Sequence, residues 1–571
     1  MKCLSLIFAS IVAIASNHAV SAEELADFSL IDHRGDFHQL SRYGYKKAVV
    51  LYVYGEECEV SSKALPKLQA LRQKYQDEGV EFLLLNATAG VERETIAEHL
   101  SAMAEPIPVL LDGSQLVARS LGLTRTGEVL LIDPSRMQVL YRGALDASST
   151  RAYGSEGTVD RNYLEEALSA SLLEVSRIEG VAWSQGQPIQ YQEGLQQIPS
   201  YADEVVPILE RRCVSCHQLG GIAPWAMDSY QMVSGWSQMM SETLMTMRMP
   251  PGQIDPKFLD DFVDVHYISD SERMALVNWA RAGAPNDSDS DPLAAPKEPK
   301  QEWALGEPDL VVEFPTQQIP ATGVLDYRYV PVEIGLDEDK WVGAYEFKIG
   351  NPNSLHHVVA YTQDEKQQKQ NQSGGGSRTN FGGYAPGRER VVFDEGTGIL
   401  LEEEMRFVVQ FHYQTIGREL SDTSKIGLYF RDSKPERPLI RTAVMNGEFV
   451  IPAGEDSFPV KAVAPVPNDS YLYNIAPHMH YRGKSVKYTA EFPDGSSREI
   501  LSIPNFQHSW QMTYRLKSPM FLPAGTTIVA EGVFDNSPGN ALNPDPTQEV
   551  RWGDQVWDEM FIAWMRVGDA N

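Results

Sequence analysis

Cysteine is scarce: four in 571 residues, at positions 3, 58, 213 and 216. So few excludes a disulfide-stapled scaffold, and each needs its own explanation. Positive charge is also in deficit. Against 78 Asp and Glu stand 49 Lys and Arg, a formal net charge of −29, which argues against binding nucleic acid or anionic membrane. Long apolar runs are missing beyond the start, so no later stretch has the ~18 or more apolar residues of a membrane span. The start itself, "MKCLSLIFASIVAIASNHAVSA", sets Lys2 before an apolar run, with Val20 and Ala22 as small residues at its end. This reads as a signal peptide over 1–22, cut after Ala22 and taking Cys3 with it. The expected location is the periplasm or the medium.

The rest is too long for one core, and roughly three or four domains are expected. In 23–190, "KAVVLYVYGEECEV" is an apolar strand entering a turn at Cys58, and "SSKALPKLQALRQKY" continues with helical spacing. "VEFLLLNA" and "GEVLLIDP" read as further buried strands. Alternation of strand and helix predicts an α/β layer fold. The cysteine at the strand–helix junction resembles the thioredoxin-like redoxins. Their redox partners are absent here: Ser61 stands where a CxxC would continue, Gly55 where peroxidase relatives have Thr, Gly127 where a cis-proline is usual, and Gln187 where a late cysteine occurs. Glu56, Glu57 and Glu59 flank Cys58 and would disfavour its thiolate, while a helix N-terminus would favour it. The expectation is a redox-inactive docking domain.

Residues 198–288 contain Cys213, Cys216 and His217 as CxxCH, the attachment pattern of a c-type haem. "MRMPPG" follows, and a thioether is a common sixth iron ligand. Met249 is the expected axial partner of His217, with Met247, Met245 and His266 as alternatives and Met239 and Met240 assigned to the core. "SDSERMALVNWARAGAP" reads as a closing amphipathic helix, so this is expected to be a small all-α cytochrome c domain. "NDSDSDPLAAPKEPKQEW", rich in Asp, Ser and Pro with no apolar period, follows, and 289–303 reads as a linker.

From 304 onward short alternating strands recur between Gly, Pro, Asn and Asp turns, as in "AYEFKI" and "MRFVVQFHYQ". That is the signature of an all-β tandem jelly roll, divided into 304–445 and 446–571. "APHMHYRG" puts His478 and His480 two residues apart, on one face if the strand continues, where imidazoles suit copper or zinc. Met479 would then point into the core. "SLHHVVAYT" holds His356 and His357, "VVQFHYQT" holds His412, and "WGDQVWDEMFIAW" holds Met560. His508 has no motif partner and reads as structural.

The ordered set HH, H, HxH, EM resembles the copper type II ascorbate-dependent monooxygenases, the group of the peptidylglycine and dopamine hydroxylases, most closely their bacterial relatives. The resemblance implies two mononuclear copper sites. His356, His357 and His412 would hold an electron-transfer copper, and His478, His480 and Met560 the catalytic copper where O2 binds. Neighbours on a flat strand face opposite ways, so His356 and His357 can share a metal only at a bend or bulge. Ala476 replaces the arginine that peptide-hydroxylating members carry, and Trp564 replaces their tyrosine. Both changes argue against a C-terminal glycine peptide. The expected protein is an exported monooxygenase that hydroxylates a C–H bond of a small organic substrate. One haem c would pass electrons from a periplasmic donor. The alternative is a non-enzymatic copper and electron carrier.

Overall fold

The computed structural model describes residues 24–150, 161–172, 183–193, 197–219, 221, 223–263, 265–294, 302–323, 325–364, 379–384 and 389–570. The signal segment 1–22 and much of the expected linker lie outside them.

Strand Ala48–Tyr54 (AVVLYVY) is buried at every position, so both of its faces must be covered. It forms the centre of a five-stranded sheet. Val80–Asn86 pairs with it in parallel and Glu128–Asp133 antiparallel; Val109–Leu111 and Gln138–Ala144 complete the edges. Val50, Tyr52 and Leu68 lie in the core on one face, packed by helix Glu59–Tyr75. Val49, Leu51 and Val53, on the other face, share one apolar cluster with Tyr201, Leu209 and Trp279 of the next segment. The expected α/β layers are present.

That next segment is helical at Val206–Arg212, Tyr230–Gly235, Ser237–Met245 and Asp270–Arg281, the last started by a capping box from Ser269 and Glu272. Between the helices the chain leaves the layer. Ile254, Phe258 and Phe262 enter the core of the C-terminal β unit, and Phe262–Val263 pairs with Leu516 and Arg515. The expected linker is pinned at both described ends. Leu293 is buried in the helical core and Trp303 against the β region, while Asp291 accepts hydrogen bonds from the Tyr201 hydroxyl and the Tyr230 amide.

The remainder is mostly β-sheet. A ten-stranded sheet runs through both β units. Smaller four-stranded sheets pack on it: Arg328–Glu333, Met405–Tyr413, Leu355–Asp364 and Thr379–Tyr384 in the first unit; Phe458–Pro465, Thr527–Phe534, Gly483–Glu491 and Ser497–Ile503 in the second. The units join where Thr397–Gly398 pairs in parallel with Arg437–Pro438. Strand Arg437–Asn446, which crosses the 445/446 division at its last residue, pairs from Leu439 to Asn446 with Phe561–Asp569 of the second unit.

Candidate functional site

His357 and His412 are directly opposite on paired strands, and the register slips between Leu355 and His357. The expected bulge is therefore there, and it turns His356 toward the face His357 occupies. The Nδ1 of His357 lies 3.3 Å from that of His356 and 3.2 Å from that of His412. Three ligands bound at an ordinary metal–imidazole length of ~2.0–2.1 Å in tetrahedral array stand about 3.3 Å apart. All three residues offer ligand atoms within 4.8 Å of one another, and among the described residues no other three His, Cys, Asp or Glu do so. Burial holds His356 below its usual titration range, His357 well below and His412 down to about 4. Neutral rings present lone pairs, so these residues fit a metal.

The second set is assembled differently. Strand Ser470–His478 ends at His478, so His480 lies in the turn beyond it. The two do not share a strand face as expected; the turn instead brings their rings to 5.1 Å, nearly perpendicular. Met479 between them is buried in the core, as its alternation predicts. His478 Nδ1 donates to Gln511 Oε1, and His480 Nδ1 to the Asp558 carbonyl at 3.2 Å. Each ring is thus held at Nδ1 by an oxygen acceptor, an orienting contact that metal-binding histidines use. The amides of His480 and Arg482 donate to the two oxygens of Glu559 at 2.9 and 2.6 Å, which pins the residue before half-buried Met560 against the turn. Burial lowers His478 to about 3 and His480 to about 4. Two neutral imidazoles and a thioether, the donor types of His478, His480 and Met560, fit copper.

Sequence reasoning passed over Gln511 and read His508 as structural. Gln511 orients His478. His508 is buried, with its ring 6.0 Å from His480 and 4.8 Å from Tyr481, and its Nδ1 3.4 Å from the Met479 carbonyl. Neither had a signal in the sequence; both arrive on the segment after strand Ser497–Ile503.

CxxCH follows helix Val206–Arg212 directly. The Cys216 and His217 amides both donate to the Cys213 carbonyl, at 3.1 and 2.9 Å. His217 Nδ1 donates to the Trp225 carbonyl at 3.2 Å, leaving Nε2 free for iron. Trp225 lies edge-on to His217 and stacks on Trp236. Trp236 and Leu219 remain exposed, Leu219 at 88%; an apolar surface beside two free thiols suits a porphyrin. Met249 is half-buried, Met245 is core, and His266 Nδ1 donates to the Pro251 carbonyl. Met240 is core as expected, but Met239 is 49% exposed: the two are neighbours on a helix, and only one can face inward.

Both motifs meet one cavity of about 530 Å3 between the β units, lined by His357, Ala476, Gln511 and Trp564 and by Ser215 and Gln218 of the CxxCH turn. The MRMPPG turn docks close by: the Gly252 carbonyl accepts from Tyr514, and its amide donates to Gln507.

Cys58 lies apart from all of this, as N-cap of helix Glu59–Tyr75 and almost fully buried. Burial pushes its thiol up, yet hydrogen bonds from the Thr126 hydroxyl (3.0 Å), the Gln187 backbone and Ser61 outweigh it, and the thiol sits below its ordinary range. The flanking glutamates expected to disfavour the thiolate do not set its titration. A Cβ on Gly55 would meet the Thr126 methyl at 2.8 Å, so the hydroxyl missing at position 55 arrives from position 126.

The first segment is a thioredoxin-like α/β domain. Residues 22–143 match the AhpC/TSA family. Among solved structures, a peroxidoxin from Mycobacterium tuberculosis is 18% identical, over 27% of this chain and 94% of that one, with a TM-score of 0.21. An uncharacterized conserved protein from Geobacillus kaustophilus is 20% identical, over 30% and 93%, with a TM-score of 0.28. No curated protein matches the chain. No helix among the described residues is long and apolar enough to cross a membrane.

Proposed function

We propose that the chain is an exported, haem-fed dicopper monooxygenase that hydroxylates a C–H bond of a small organic substrate. The observation that carries this reading is the three-histidine cluster, whose His357 lines the same cavity as Gln511, the hydrogen-bond partner of His478, and Ser215 of the CxxCH turn. The overall reaction consumes the C–H bond, O2, two electrons and two protons, and yields an alcohol and water. Bound copper supplies one-electron storage at each site and O2 activation at the second, and a haem held by Cys213, Cys216, His217 and Met249 supplies one-electron relay.

The chain's own residues do the rest. His356, His357 and His412 form a prebuilt all-imidazole site, rigid because paired strands carry it, as electron transfer with little reorganisation requires. His478, His480 and Met560 pair two imidazoles with a soft thioether, a donor set that favours the reduced metal. Gln511 and the Asp558 carbonyl fix the tautomers of the two histidines. Trp564, 5.2 Å from the His478 ring, walls the cavity and excludes water from the reacting face. The thioredoxin-like domain serves as a docking platform, since its thiol is closed off and CxxC is lacking.

The test is copper stoichiometry with oxygen uptake. The exported protein should bind two coppers and one covalent haem, and after reduction it should consume O2 in the presence of a small-molecule extract and yield a product heavier by one oxygen atom. Copper binding without oxygen uptake would return the chain to the carrier reading.

A further inference from the structure

Four neighbouring strands bring an unusual row of side chains to the cavity. Arg441 stands directly opposite Arg566, Arg566 opposite Asn474, and Asn474 opposite Arg515. All four line the cavity. Like charges directly opposite on paired strands repel, and these two are poorly compensated. Arg441 donates from Nη1 to the Asn380 carbonyl at 3.1 Å, and its buried Nε has no partner. Arg566, 7% exposed, donates to the Phe381 carbonyl. Each also faces a ring, Trp564 at 5.0 Å and Phe393 at 5.5 Å, and the Tyr345 phenol lies near both, with Tyr361 near Arg441. Among the described residues no carboxylate bears on either group, and each is pushed below its ordinary range by burial, Arg441 also by Arg566 and Arg566 to about 10. Arg515 differs, lying 3.6 Å from Asp394. Two desolvated guanidiniums without an anion are costly; planar donor forks of this kind suit a carboxylate.

The next layer along the strands is apolar. Trp564 is paired with Ala476 on one side and Ala443 on the other, so a flat ring lies between two small residues. Asn474 and His478 are on one strand face four residues apart, about 13 Å. A molecule anchored at the arginine row would extend over Trp564 toward His478.

We propose that the cavity binds a small organic carboxylate, its anionic end held between Arg441 and Arg566 and its apolar body laid over Trp564. That this molecule is the substrate rests on the monooxygenase reading; its binding does not.

The test uses exported, haem-loaded but copper-free protein, so it is blind to whether copper binds. Benzoate, phenylacetate and 4-phenylbutyrate are titrated by calorimetry beside their neutral amides. At least one carboxylate should bind tenfold or more tightly than its amide, a difference of ~1.4 kcal/mol. Arg441→Met should abolish that preference, Arg441→Lys should retain part of it, and Ala476→Phe should weaken acid and amide alike by filling the floor. Equal affinity for acids and amides, or no binding across the series, overturns the proposal even if no variant folds. One competing source of carboxylate is the haem, whose propionates could reach a cavity that Ser215 and Gln218 also line. If Arg441→Met moves the haem midpoint potential and the wild type binds none of the acids, the guanidiniums serve the propionates and the proposal fails.

Discussion

The thiol of the first domain and the histidines of the β region are both buried, but in opposite senses. Cys58 is enclosed by its own neighbours: Thr126, Ser61 and the Gln187 backbone satisfy the sulfur, and no second cysteine is within the domain's sequence to complete an exchange. The histidines are buried in two sets, with His357 at the wall of a cavity and His478 and His480 each held at Nδ1 by a neighbouring oxygen. Burial that satisfies a group retires it, while burial that fixes one atom and frees another prepares it. The two histidine sets refine the point. One is built by strand pairing, with His357 and His412 directly opposite. The other draws on a strand end, a turn and the start of another strand, and depends on Gln511, Asp558 and Glu559 to hold it.

The largest effect that would sharpen this contrast is at the second set. His478→Ala with His480→Ala should lower copper from two per chain to about one and abolish oxygen uptake, whereas His412→Ala should remove the other copper; full occupancy by elemental analysis in the first variant would break the assignment. Gln511→Ala tests the dependence on a supporting shell. It should weaken copper at the second site by about 10–100-fold and leave the first site unchanged, read by competition with a chelator.

A third effect belongs to the thioredoxin-like domain and involves no metal. Asp32 is fully buried and, against the opposing push of burial, its hydrogen bond and charge interaction with His38 and the nearby Arg34 lower it to about 2. A carboxylate lowered on folding stabilises above its unfolded value near 3.9 and loses that contribution as pH falls through 2. A shift of about two units corresponds to ~2–3 kcal/mol. Asp32→Asn should raise hydrogen exchange of residues 24–145 at pH 7 by that order, with the gap from wild type closing as the pH falls below 4. The smallest effect is expected at Cys58. Cys58→Ser should keep turnover within about twofold, and a loss beyond tenfold, ~1.4 kcal/mol in barrier, would show the enclosed thiol to be in use.

Local pattern was enough for much of this. Strand AVVLYVY, helix Asp270–Arg281, CxxCH and the need for a bulge at His356–His357 were all legible, because each depends on residues within a few positions. What was not legible depends on register between distant segments. Thr126 reaches Cys58 from 68 positions away, Gln511 reaches His478 from 33, and Arg441 meets Arg566 only because two strands pair in one register out of several. The HxH reading differs in its cause alone: the rings approach and Met479 is core, but a period of two assumes the strand continues, and here the ladder stops at His478.

The short pairing of Phe262–Val263 with Arg515–Leu516 has a practical consequence for anyone dissecting the chain. The helical segment is woven into its neighbour rather than strung beside it. Excising 198–288 would strip the outermost rung from the sheet that carries His478, expose its edge to other chains and unplug Ile254, Phe258 and Phe262 from a foreign core. Such a truncation would report on aggregation and not on electron flow. The proposed haem's contribution would be separable only by single substitutions at His217 or Met249 in the whole protein.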